Sequence, residues 1–175
     1  ARLNRLTNDL LALTRSDNGV ATINFDNYDI KEIVKDTIQI FKEMSEIEGR
    51  KFESHMETVN FNFDREKIVQ LLIILLDNAL KYTFKKDLIS VSIYKEGYDC
   101  CIVVGDTGIG ISDEAKKKVF ERFYREDKAR SRKKGGNGLG LAIAKNIVIQ
   151  HNGKISVYDN KPKGTIFEVR LPIKK

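Results

Sequence analysis

Three clusters of residues in this chain have the types and spacing to do chemistry. Asn78 sits in an otherwise apolar run, Ile68 to Tyr82, that also holds Lys81. Asp106 closes a β-rich run and opens Asp106-Thr107-Gly108-Ile109-Gly110-Ile111. Further on, Gly135-Gly136-Asn137-Gly138-Leu139-Gly140-Leu141 leads into a helical pattern. A carboxylate at a strand end, with no Arg or His beside it in sequence, can accept a hydrogen bond from an exocyclic amine such as that of adenine. Gly108 and Gly110 let the backbone approach a flat base. Gly136, Gly138 and Gly140 present bare N–H groups at a helix N-terminus, an anion site by geometry and by dipole. The plain alternative is that each glycine only permits a turn. It suits either stretch alone better than both together with Asn78.

Two common phosphate-binding patterns do not fit. G-x-x-x-x-G-K-[ST] fails because Gly153-Lys154 is followed by Ile155, with Val148 where the first glycine belongs. A G-x-G-x-x-G fingerprint fails at its last position, which is Ile143 counted from Gly138 and Asp113 counted from Gly108. A nucleotide site in this chain belongs to another architecture.

The elements that must carry these residues follow from periodicity. Leu3, Leu6, Leu10 and Leu13 recur at helical spacing with Leu11 beside them, and Asn18-Gly19 stops the pattern. That pattern is already running at Ala1, so the segment reads as the end of an amphipathic helix from something longer. Residues 20 to 28 alternate weakly and suggest an edge strand. From Asp29 a helix sets Ile30, Ile33, Val34, Ile38, Phe41, Met44 and Ile47 on one face and ends at Gly49, after which Lys51 to Phe63 reads as two short strands. Asp64 is placed to cap the next helix, with Glu66 in its first turn. That helix, Ile68 to Tyr82, is apolar almost all round, so it is buried on more than one side. LISVSIY and CCIVV flank Glu96-Gly97-Tyr98-Asp99 as a hairpin. A short charged helix from Ser112, a long one from near Gly138, and strands Lys154 to Tyr158 and Thr165 to Leu171 complete the chain. Strands mostly joined by tight turns, with the helices grouped between them, predict an α+β fold: a two-layer α/β sandwich on a mixed, mainly antiparallel sheet.

Composition sets limits on function. The 175 residues suffice for one domain and an appendage, and 41% apolar with 32% charged residues excludes a disordered or collagen-like chain. Cys100 and Cys101 are adjacent and have no zinc spacing to His55 or His151, which suits a reducing compartment. The longest apolar run, Ile68 to Leu76, is far short of the ~20 residues of a membrane span. The net charge of +6 is concentrated where Arg125, Lys128, Arg130, Arg132, Lys133 and Lys134 oppose only Glu126 and Asp127. Such a loop suits a compact polyanion at one site and not nucleic acid along a face, the alternative being a solvated charge run.

In their order and spacing over residues 68 to 148, four motifs resemble those of sensor histidine kinases. IVQLLIILLDNALKYT is similar to the family's asparagine box, DTGIGI to its first glycine box, FERFYR to its phenylalanine box and GGNGLGLAIAKNIV to its second glycine box. The resemblance implies a catalytic ATP-binding domain over 19–175, preceded over 1–18 by the end of the dimerisation and phosphotransfer helix. It implies the Bergerat fold, with the left-handed βαβ ATP site of gyrase and MutL. It also implies roles. Asn78 would hold Mg²⁺, Lys81 would contact phosphate and Tyr82 would pack on the nucleotide. Asp106 would fix the adenine amine and so select ATP over GTP, with Gly108, Gly110 and Ile111 lining the base pocket and Thr165 near the base. Gly136, Gly138, Leu139, Gly140 and Leu141 would cover the phosphates, Arg125 would bring them positive charge, and Phe120 and Phe123 would pack the hinge of that lid. The implied activity is transfer of the ATP γ-phosphoryl group to a histidine on a dimerisation helix, for relay to an aspartate of a response-regulator receiver domain. The implied parent is a homodimer anchored in the cell membrane, with this domain in the cytoplasm.

The chain departs from the family pattern at two positions. Ile74 stands one helical turn before Asn78, where many members carry a polar residue, so it faces the same site and can neither bind metal nor take a proton. Pro162 replaces a frequent glycine and is expected only to stiffen a loop. Neither His55 nor His151 has the context of a phosphoacceptor, and His151 reads as structural. Two rivals remain at this point: a hydrolytic ATPase of the gyrase or MutL kind, which needs a Glu at position 74, and a non-enzymatic regulatory module.

Overall fold

In the computed structural model, residues 8, 10, 22–126 and 138–173 are described. Of the leucine-striped segment only residues 8 and 10, both helical, fall within that set. Gly136 and the basic run from Lys128 to Lys134 lie outside it.

Two aspartates start the first long helices. The Asp29 carboxylate accepts the Lys31 N–H at 3.0 Å and begins α1 (Ile30–Ile47), and the Asp64 carboxylate accepts the Lys67 N–H at 3.1 Å and begins α2 (Arg65–Lys81). Each satisfies an amide that the first turn leaves without a partner. Before α1 runs β1 (Asp26–Asp29), which pairs antiparallel with β3 (Asn60–Phe63) in a small two-stranded sheet. The main sheet has the order β2 (Lys51–Met56), β4 (Leu88–Glu96), β5 (Asp99–Asp106), β7 (Thr165–Pro172) and β6 (Lys154–Asp159). Only β2 and β4 run parallel, so the sheet is mixed and mainly antiparallel as the turn pattern predicts. A short helix, α3 (Asp113–Lys116), and a long one, α4 (Gly140–Gln150), complete the set.

The strands alternate as a one-sided sheet should. Ile89, Val91 and Ile93 of β4, Ile102 and Val104 of β5, and Phe167, Val169 and Leu171 of β7 are buried together. Against this face lies α2, whose Ile68, Leu71, Leu72, Leu75, Leu76 and Ala79 are buried and which touches α1, α4 and β5. Contacts on several sides explain why its sequence is apolar nearly all round. Burying each such Leu or Ile contributes about 1.5–3 kcal/mol, so the helix that carries Asn78 is held firmly.

Both ends of α2 are tied to distant residues. At the start, Asp64 N–H donates to His151 Nε2 at 3.1 Å, and His151 Nδ1 lies 2.8 Å from the Ile147 carbonyl. The proton is therefore on Nδ1, and burial holds the ring's pKa below its ordinary value. His151 is structural, as its sequence context suggests. At the far end, Arg50 donates through Nη2 to the carbonyls of Leu80 (3.1 Å) and Thr83 (3.0 Å), and through Nε to Thr83 Oγ1 at 2.8 Å. A guanidinium thus caps the carbonyls of the last turn, which carries Asn78, Lys81 and Tyr82.

Candidate functional site

The ends of these elements enclose a cleft of about 680 Å³. Asn78 and Tyr82 reach it from the last turns of α2, Asp106 from the end of β5, and Gly110 and Ile111 from the loop that follows. Arg125 and Tyr124 come from the segment after α3, Leu141 from the first turn of α4, and Thr165 from the start of β7. Residues far apart in sequence meet because β5 pairs with β7, which sets Asp106 opposite Thr165.

Asp106 is the chemical centre of this cleft. Only 4% of it is exposed, and its Oδ1 accepts the Gly108 N–H at 2.9 Å. Burial pushes its pKa up to about 6, while the amides of Gly108 and Thr165 work against that rise by donating to the carboxylate. The group is ionised at neutral pH and lies at the wall of the cleft.

Two glycines make this arrangement possible. A Cβ on Gly108 would stand 2.0 Å from the Tyr82 carbonyl oxygen, where Ile109 N–H donates at 3.1 Å. A Cβ on Gly164, whose φ is +105°, would stand 1.9 Å from the Asp106 carbonyl oxygen. The glycine loop and the β6–β7 turn are thus pressed against α2 and β5 with no room for a side chain.

Several residues singled out by sequence stand elsewhere. Gly108 packs behind Asp106 and is not part of the lining. Lys81 is likewise outside the lining, its Nζ 3.1 Å from Asp77 Oδ2 one turn back on the same helix. Leu139 is fully buried in the core. Gly138 meets the phenylalanine motif, its carbonyl accepting the Phe123 N–H at 2.9 Å. Phe120 packs edge-on against Phe167 at 6.1 Å between ring centres. Gly140 opens α4 above Ile74, whose Cγ2 lies 3.5 Å from where a Gly140 Cβ would be. Ile74 thus packs against the start of α4, and like Gly140 it is outside the lining of the cleft. The first turn of α4 has no acidic residue, and Leu139 makes no side-chain capping hydrogen bond there.

Other lining residues gave no signal in the sequence. Ser112, Asn160, Lys163 and Gly164 all reach the cleft, and so does Pro162, the departure noted in the sequence. Asn160 Nδ2 donates to the Asp106 carbonyl at 2.8 Å across 54 positions of sequence. Lys161-Pro162-Lys163-Gly164 marks a turn, and only the pairing of β5 with β7 shows what that turn lies against. Among the described residues there is no group of three or more His, Cys, Asp or Glu side chains that could hold a metal ion.

Comparison with known proteins agrees with this geometry. Residues 63–175 match the family model described as histidine kinase-, DNA gyrase B-, and HSP90-like ATPase. The chain is similar to the sensor protein CiaH of Streptococcus pneumoniae, with 42% identity over 179 residues, covering 96% of this chain and 38% of that protein. The chain therefore spans less than two-fifths of that relative. Its fold is similar to that of full-length ShkA in complex with AMPPNP (TM-score 0.84, 23% identity, 99% of this chain and 36% of that one). It is also similar to that of the histidine kinase ThkA in complex with the response regulator protein TrrA (TM-score 0.76, 22% identity, 98% of this chain and 49% of that one).

Proposed function

We propose that this chain, which belongs to the histidine kinase-, DNA gyrase B-, and HSP90-like ATPase family, is the catalytic domain of a sensor histidine kinase that moves the γ-phosphoryl group of Mg-ATP to a histidine. The observation that carries this reading is the buried Asp106 carboxylate, aimed into a cleft whose other walls hold Asn78 and Arg125. An adenine amine donates to that carboxylate. Guanine offers a carbonyl at the same place, and the unpaired buried acceptors cost about 1–3 kcal/mol, roughly ten- to a hundredfold in affinity. Gly110, Ile111 and Tyr82 bound the base, with Thr165 beside Asp106.

The phosphates lie toward Arg125, Leu141 and the N-terminus of α4, with Gly136, Gly138 and Gly140 offering amides around them. Lys81 serves there by exchanging its Asp77 partner for a phosphate oxygen. Asn78 fits Mg²⁺, which keeps several waters and needs only one or two protein oxygens beside the phosphates. When bound, the ion neutralises charge that develops in phosphoryl transfer. Ile74 supplies no base to activate water, which favours transfer to a histidine over the hydrolysis of the gyrase or MutL kind.

The remaining parts belong to a longer parent. Residues 1–18 are the end of its dimerisation and phosphotransfer helix, and the parent is a membrane-anchored homodimer that passes the phosphoryl group to a response-regulator aspartate. The printed names of a sensor protein and of a histidine kinase in complex with a response regulator support the sensor and response-regulator parts of this reading, and no helix among the described residues is long and apolar enough to cross a membrane. The test is transfer itself. With γ-labelled Mg-ATP, the longer protein becomes labelled on histidine and Asn78→Ala abolishes the label, while this chain alone stays blank. Label on His55 or His151 would contradict the reading.

A further inference from the structure

The turn between β6 and β7 wraps around the end of β5 that carries Asp106. Asn160 Nδ2 donates to the Asp106 carbonyl at 2.8 Å, and Asn160 N–H donates to the Gly164 carbonyl at 3.0 Å. Thr165, next along the chain, lies opposite Asp106 in the β5–β7 pairing, and its amide favours the ionised carboxylate. This turn is fastened at a second point by Lys163, whose Nζ lies 3.1 Å from Asp87 Oδ1 in the turn between α2 and β4. Asp87 is itself fixed. Phe84 N–H donates to its Oδ2 at 2.8 Å, and Thr107 Oγ1, which accepts the Leu88 N–H at 2.8 Å, donates to Oδ1 at 3.4 Å. One carboxylate, only 12% exposed, thus joins the end of α2, the residue after Asp106 and the β6–β7 turn.

We propose that Lys163 is a positioning residue for base recognition: its bridge to Asp87 straps the β6–β7 turn in place beside Asp106 and so keeps that carboxylate ionised. This rests on the reading of Asp106 as the acceptor of the adenine amine.

The electrostatics run the same way. Among the described residues, two charged side chains act on the Asp106 carboxyl: Asp87, from the α2–β4 turn, disfavours its ionised form, and Lys163, from the β6–β7 turn, favours it. Among the described residues, Tyr82, Arg125, Glu126 and Asp159 are other titratable groups that face the cleft. Lys163 offsets Asp87 by direct contact, so its removal leaves an uncompensated carboxylate beside the one that must stay charged. Its side chain is 60% exposed, and pairs of this kind are worth at most about 1 kcal/mol to the fold, so the variant stays folded.

The test compares wild type, Lys163→Met and Lys163→Arg by carboxyl-carbon NMR titration of the unliganded protein and by adenosine binding across pH. In Lys163→Met the Asp106 midpoint rises by about half a pH unit. Adenosine then binds about threefold more weakly at about pH 5 and equally well at about pH 8. Lys163→Arg restores both. An unmoved midpoint overturns the proposal, and so does a loss of affinity equal at every pH, which would make Lys163 a direct ligand contact. Absence of adenosine binding in wild type would instead remove the functional reading of Asp106, and the unliganded titration would still judge the strap.

Discussion

Replacing Gly108 by Ala strikes the point where β5, the glycine loop and the end of α2 meet. The new Cβ would stand 2.0 Å from the Tyr82 carbonyl oxygen, 2.8 Å from its carbonyl carbon and 3.0 Å from Asp106 Oδ1. Heavy atoms in contact need about 3.5 Å, so the loop must retreat by more than about 1 Å from a backbone that α2 holds rigid. Two hydrogen bonds then fail: Ile109 N–H to Tyr82 at 3.1 Å and Gly108 N–H to Asp106 at 2.9 Å. At about 1 kcal/mol each, with about 1–3 kcal/mol for overpacking, the loss is about 3–5 kcal/mol. Asp106 also loses a donor that favours its charged form, so adenosine binding weakens in parallel. Urea unfolding with an unchanged slope, joined to adenosine titration, measures both effects. Gly97→Ala is the control, because nothing lies within 4 Å of its Cβ although its φ is +60°. It is expected to cost about 1 kcal/mol and leave binding alone. A Gly108→Ala protein as stable as Gly97→Ala, with adenosine binding intact, would refute the packing argument.

Two further outcomes follow from buried groups. Burial lifts the Asp106 pKa from 3.8 to about 6, so between those values the folded chain holds a proton that the unfolded chain releases. The unliganded fold therefore gains stability as pH falls through that window, by up to about 3 kcal/mol from this group, and Asp106→Asn removes the gain in urea unfolding. Adenosine carries no titrating phosphate and needs the charged carboxylate, so its affinity moves the other way, about tenfold weaker at about pH 5 than at about pH 7.5. Calorimetric titration at the two pH values checks this, and equal affinities would contradict it. Arg50→Met uncaps Leu80 and Thr83 at the end of α2 and is expected to cost about 2–4 kcal/mol in denaturant melts, with loss of Mg-dependent ADP binding from the displaced Asn78.

What the sequence made legible was local. Asp64 announces its helix because an N-cap acts within three residues, and its carboxylate makes the expected bond; Asp29, where the sequence starts the preceding helix, makes a like one. The alternation in β4 and the all-round apolar character of α2 likewise report their own burial. Asp106 stood out because a lone carboxylate beside glycines has a chemical meaning without any partner being known. The residues that aim Asp106 did not stand out, because their contacts depend on strand pairing. Asn160 bonds it from 54 positions away, Lys163 reaches Asp87 across 76, and Arg50 caps Thr83 across 33. Lys81 shows the opposite case. Its spacing of four from Asp77 fits an ion pair on one helix face, and the expectation of a phosphate contact passed over it. Ile74, which helical spacing puts on the face of Asn78, packs beneath the start of α4 and does not line the cleft.

The most direct measurement is calorimetric titration of Mg-ADP into this chain and into Asp106→Asn. Binding by the wild type that disappears in the variant is the predicted result. Equal binding by both proteins would contradict the claim that this carboxylate recognises the base.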